Sequence, residues 1–161
     1  MLILLPPSES KATRPRGAAL RPESLSAPQL APQRARVAVA LAEASSRPDA
    51  PEALGVSPTL AEEIARNTRL GTAPTLPARD LYTGVLYDAL DLPSLSTGAK
   101  RRAAHRLGVM SSLFGMVRVG DRIPSYRLSG DATLPALGPI AAVWREALAP
   151  VMPTVLGKGL L

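Results

Sequence analysis

The sequence predicts an α+β fold, a mixed sheet with packed helices, in a single domain over residues 1–161. Three observations predict it. Leu2–Leu5 and Val109–Leu113 are short apolar runs next to Pro or Gly, with the length of buried strands rather than helices. Leu137, Ile140, Trp144, Leu148 and Val151 recur at helical spacing. Ser57-Pro58 and Gly71 bracket a further segment as a helix start and stop.

The elements follow in chain order. Leu2–Leu5 is a buried strand ended by Pro6-Pro7. Ser8–Gln33 has no period and reads as a loop, a common place for ligand contacts after a strand. Pro32–Ser45 is a helix with Val37, Leu41 and Ala44 inward and Arg34, Arg36 and Glu43 elsewhere on the cylinder. The second helix has Ser57 as N-cap and Pro58 at its first position. Glu62 and Glu63 suit its start, Arg66 and Arg69 its end, and Leu60 and Ile64 its buried stripe. Thr72–Pro77 is a linker, Arg79–Gly84 is strand-like or irregular, and Val85–Leu90 opens a short helix. Ser94–His105 is a basic helix. Phe114–Val119 reads as a turn or a single helical turn, because Gly115 and Gly120 interrupt it. Ile123–Leu128 is a strand or an extended loop, and Gly157–Leu161 opens another strand.

Composition narrows the function classes. Without cysteine there is neither a disulfide nor a thiolate site, and one His (His105) makes a His-based metal cage improbable. The longest apolar run, Met1–Pro7, is too short to span a membrane and lacks the basic flank of a secretory signal. A cytoplasmic protein with no membrane partner, no cofactor and no directly bound metal is expected. The net charge is +6, and residues 100–127 alone carry Lys100, Arg101, Arg102, Arg106, Arg118, Arg122 and Arg127 against Asp121. Such a local basic field points to an anionic partner, DNA or a nucleotide-like anion. An ordinary solvated basic face is the plainer alternative.

No nucleophile elbow, Walker loop or Gly-x-Gly-x-x-Gly pattern marks a catalytic site. Anion binding has better candidates. Arg118, Arg122 and Arg127 fall close together, and Arg bonds phosphate bidentately. Tyr126 beside them either stacks on a base or packs in the core, where Asp121 would pair with an Arg. Ser8-Glu-Ser-Lys11, leaving the first strand, offers an ammonium and two hydroxyls.

Together these blocks resemble the YaaA family (peroxide stress protein, also UPF0246 or DUF328). The resemblance is carried by Leu2-Ile-Leu-Leu-Pro-Pro-Ser-Glu-Ser-Lys11, Leu81-Tyr-Thr-Gly84, Val109–Arg118, Asp121–Leu128 and the Trp144 helix. It runs over the whole chain and corresponds to the N-terminal two-thirds of a family member, so the mixed sheet is expected to be incomplete at its C-terminal side. This chain has Ser111-Ser-Leu-Phe-Gly115 where the family often reads Ser-Gly-Leu-Tyr-Gly.

The resemblance implies a cytoplasmic protein of the hydrogen peroxide response, with a basic cleft and a helix-hairpin-helix-like element that binds DNA. By position it nominates Lys11, Tyr82, Thr83, Ser111, Arg118, Asp121, Tyr126 and Arg127, and the charge pattern adds Arg122. The expected function is binding of DNA or another phosphate-bearing ligand in the oxidative stress response. Two alternatives stay open: an enzyme acting on a phosphorylated or nucleoside-like small molecule, and an inert truncated product. Each binding reading requires the arginines to gather beside Lys11.

Overall fold

In the computed structural model, which describes residues 1–12 and 17–157, helices surround three small sheets. The largest sheet runs β1 (Ile3–Leu5), β3 (Leu107–Ser111), β4 (Gly115–Arg118), with β1 parallel and β4 antiparallel to β3. Leu5 lies opposite Val109, and Val109 opposite Val117. A second pair joins β2 (Thr75–Pro77) to β5 (Arg122–Pro124), and a third joins β6 (Thr133–Leu134) to β7 (Gly138–Pro139), both antiparallel. The α+β class is thus observed. Among the described residues no helix is long and apolar enough to cross a membrane.

The helices obey their end signals. The longest, α1 (Ala31–Ser45), carries Pro32 at its second position, and a short helix α2 (Ala50–Ala53) follows it. The Ser57 hydroxyl accepts from the Thr59 amide and caps a 3₁₀ turn that leads into α3 (Ala61–Arg66). Two short helices, α4 (Ala78–Leu81) and α5 (Val85–Leu90), come next, and Ser96 caps α6 (Thr97–Arg106). Ile140, Trp144 and Leu148 form the buried face of α7 (Ile140–Leu148), which precedes α8 (Met152–Leu156).

Several expectations need correction. Within Phe114–Val119, expected as a turn or a single helical turn, Gly115–Arg118 form β4: Gly115, at φ +67°, closes a hairpin and lets Met116 and Val117 pair with β3. A Cβ on Gly115 would lie 2.7 Å from the Trp144 ring, so α7 packs directly on that turn. The Thr72–Pro77 linker contains β2, and Ala78–Leu81 is helical rather than strand-like. In the first strand only Leu5 is buried; Ile3 and Leu4 are 43% and 37% exposed because β1 is an edge strand. The strand expected to begin at Gly157 falls on Lys158–Leu161, outside the described residues.

The largest departure is Arg34. It lies on the buried face of α1 with Val37 and Leu41 and is only 5% exposed. Its guanidinium donates to the carbonyls of Phe114 (2.9 Å), Met116 (2.8 Å), Ser26 (2.7 Å) and Ala27 (3.3 Å). Burial opposes its charge, and the negative charge of Asp121 partly restores it. Arg34 thereby ties α1 to the β3–β4 hairpin. Replacing it by Met keeps the aliphatic stem but strips donors from four carbonyls. Arg34→Met is expected to lower unfolding stability by about 3–5 kcal/mol, read from urea midpoints at constant m. A loss below about 0.5 kcal/mol, the scale of a neutral surface change, would contradict this role.

Candidate functional site

The site grows from one strand-like crossing. Lys11 forms an antiparallel bridge with Tyr82, and the Ala12 amide donates to the Leu81 carbonyl at 2.8 Å. The Thr83 amide donates to the Ser10 carbonyl at 3.1 Å, so Thr83 contributes through its backbone. This crossing sets the Lys11 ammonium over two aromatic faces, 4.3 Å from the Tyr126 ring centroid and 5.5 Å from that of Tyr82.

Those rings are held from behind. Tyr126 is 3% exposed, and its hydroxyl lies 2.8 Å from Ser111 Oγ and 2.9 Å from the Tyr82 hydroxyl. Burial pushes both phenols above their ordinary range, so the chain of hydroxyls stays neutral at physiological pH. Phe114 meets Tyr126 edge-on and Tyr87 stacks on Tyr82. Ser111 also accepts from the Phe114 amide, and Ser112 donates to the Leu128 carbonyl, so the amide and hydroxyls here turn inward.

Arg127 is aimed by its own backbone. The Asn67 side chain accepts from the Arg127 amide and donates to its carbonyl, both at 2.8 Å. The guanidinium then reaches Glu9 at 2.8 Å and Glu63 at 3.7 Å. Lys11, Arg127, Arg66, Glu9, Glu63 and Ser125 line a cleft of about 340 Å³. Arg66 and Ser125 also line an adjoining hollow of about 510 Å³ that continues to Arg69 and Thr72. Joined through those two residues, they make a groove lined by four cations, Lys11, Arg66, Arg69 and Arg127, and three carboxylates, Glu9, Glu62 and Glu63.

Of the sequence-nominated residues, Lys11, Tyr82, Ser111, Tyr126 and Arg127 come together, with the Thr83 backbone beside them. Arg118, Asp121 and Arg122 do not join them. Arg118 donates to the His105 carbonyl at the end of α6, at 2.7 Å. Arg122 is held by the Thr75 carbonyl (2.7 Å) and hydroxyl (3.3 Å) across the β2–β5 pair. Asp121 accepts from the amide and hydroxyl of Ser26 and from the Arg118 amide. Each has found backbone partners within the fold, which draws it away from the Lys11 cleft. Asn67, Glu63 and Arg66 were missed as site residues. Asn67 continues the apolar stripe of Leu60 and Ile64, and a polar residue on such a stripe is the signal that marks it.

Among the described residues no group of three His, Cys, Asp or Glu side chains is placed to hold a metal ion. Burial, then the nearby Arg127 charge, lowers the Lys11 ammonium from 10.5 to about 8, although Glu9 and Glu63 pull the other way.

The model of the peroxide stress protein YaaA family matches residues 1–158. The chain belongs to the YaaA family. A UPF0246 protein of Streptomyces coelicolor is 53% identical over 163 residues, covering 100% of this chain and 63% of the relative. A UPF0246 protein of Corynebacterium efficiens is 49% identical over 135 residues, covering 84% of this chain and 53% of the relative. A third, from Salinispora tropica, is 30% identical over 158 residues, with 95% and 58% covered. This YaaA-family chain thus spans 53% to 63% of the length of these relatives.

The Lys11 environment has a consequence for stability. Below about pH 8 Lys11 is protonated in both folded and unfolded chains, and its desolvation cost is fully present. Between about 8 and 10.5 the folded chain binds fewer protons than the unfolded one, so stability rises with pH. The stability of the wild type relative to Lys11→Met is therefore expected to climb from pH 8 to pH 10 in urea titrations. A difference that stays flat or falls would contradict the lowered pKa.

Proposed function

We propose that this YaaA-family protein acts in the peroxide stress response by binding DNA, or another phosphate-bearing ligand, along the Lys11–Arg69 groove. The observation that carries this reading is the convergence of Lys11, Arg66 and Arg127 on one concave surface. Guanidinium groups bond phosphate bidentately and an ammonium adds a point charge. Arg69 adds a further cation in the adjoining hollow, beside Glu62, and this spacing of guanidinium groups suits a chain of phosphates more than a single one. Arg127 pairs with Glu9 and Glu63, and an entering phosphate takes their place on the guanidinium. The peroxide link rests on the family's name, and the DNA reading on groove charge and shape. The runner-up, an enzyme acting on a phosphorylated small molecule, draws support from Tyr126 facing Lys11.

A duplex DNA titration followed by fluorescence anisotropy tests the groove. Arg66→Ala with Arg127→Ala is expected to raise Kd at least about tenfold and to reduce the salt slope by roughly 2. Arg145→Ala, on the exposed side of α7, is expected to leave both unchanged. Unaltered binding by the groove variant would overturn the assignment. So would losing binding only on Lys100→Ala with Arg101→Ala and Arg102→Ala, in helix α6, where no side chain is fully buried.

A further inference from the structure

Lys11 is an unusual cation for a binding site. Its Nζ donates to the carbonyls of Ser8 (2.9 Å) and Glu9 (3.3 Å), and among the described residues it makes no ion pair. The two carboxylates that line its cleft, Glu9 and Glu63, are engaged by Arg127 instead. One face is closed by the Tyr126 and Tyr82 rings, and the other opens on the cleft that Arg66 and Arg127 share. An amine packed against aromatic surface, beside another cation and with the neighbouring carboxylates paired to Arg127, is set up to be a nucleophile. Anion-binding groups lie in the same small space, where they can hold a substrate by its phosphate.

We infer that Lys11 forms an imine with an aldehyde or ketone carried on a phosphate-bearing molecule, whose phosphate is held by Arg66 and Arg127. This rests on the phosphate-binding reading of the groove and names the chemistry of its occupant. The neutral amine adds its lone pair to the carbonyl carbon, and a proton moves from nitrogen to the former carbonyl oxygen, giving a carbinolamine. Loss of that hydroxyl as water leaves a carbon–nitrogen double bond, with Glu9 or Glu63 able to relay the proton. Amine and carbonyl give imine and water, and no oxidant or reductant is needed. The lowered pKa of about 8 supports the step, since the neutral form is then well populated in weakly alkaline solution. The carbonyl has two possible sources: a free sugar phosphate, or the opened deoxyribose of a base-free position in DNA.

Reductive trapping tests this on the full chain. The protein is incubated with glyceraldehyde 3-phosphate, unphosphorylated glyceraldehyde, or a duplex with one abasic site, in cyanoborohydride, and modified lysines are mapped by mass spectrometry. The sequence has only Lys11, Lys100 and Lys158, so assignment is direct. Lys11 is expected to be modified at least about tenfold faster than Lys100 by a phosphate-bearing aldehyde, with a pH midpoint near 8. Phosphate-free glyceraldehyde is expected to show a markedly weaker preference, and inorganic phosphate to remove the increment that the phosphate-bearing aldehyde gains. Whichever phosphate-bearing donor reacts faster identifies the source. Equal modification of Lys11 and Lys100, or a Lys11 preference indifferent to the phosphate, overturns the inference. If DNA binding still depends on Arg66 and Arg127 in that event, the imine fails alone; if it does not, the groove reading fails with it.

Discussion

A buried phenol must find a hydrogen-bond partner, and the packing around Tyr126 is organised by that requirement. Its hydroxyl meets Ser111 and Tyr82, so the end of β3, the crossing after α4 and the 125–128 segment are tied at one point. With the hydroxyl anchored inward, the ring can present only its face to the cleft, and there Lys11 rests. Asn67 and Ser112 fasten the backbone at Arg127 and Leu128, leaving the Arg127 side chain one way out. The cleft is thus a by-product of satisfying polar groups in the core. Its cations come from the end of α3 and the turn after it, the 125–128 segment and the first loop.

Arg34 is the complementary case, a charge used wholly for architecture. Four carbonyls and the field of Asp121 replace the water it gives up, and in return α1 is fixed to the β3–β4 hairpin. Asp121 in turn holds the turn before β5 and the loop at Ser26. Two arginines of the basic segment at 100–127 are likewise committed to the fold, Arg118 on the end of α6 and Arg122 on β2. The density of positive charge along the sequence therefore overstates the density of charge in the groove. Two of its cations, Arg66 and Arg69, come from a stretch that is acidic overall.

What the sequence made legible follows from local physics. The cap at Ser57, the stripe through Trp144 and the stripe of α1 are properties of neighbouring residues, and their helices formed where those signals lie. The aromatic and hydroxyl residues at 82, 111 and 126, with Lys11 and Arg127, were nominated and meet in space. Long-range polar satisfaction was illegible. Nothing near Arg34 announces that its partners sit 80 and 82 residues away, and Asn67 looks like a helix-end residue until Arg127 arrives 60 residues later. The β4 strand was obscured by its glycines, which are turn formers in isolation and become a hairpin only once β3 is beside them.

The site depends on an amine held out of water beside a space for an anion. The most direct measurement is an NMR titration of the Lys11 side chain, with and without inorganic phosphate. The account predicts a midpoint near 8 in the free protein, moved upward when phosphate enters and favours the charged form. A midpoint near that of an ordinary lysine, about 10.4, and indifferent to phosphate, would contradict it.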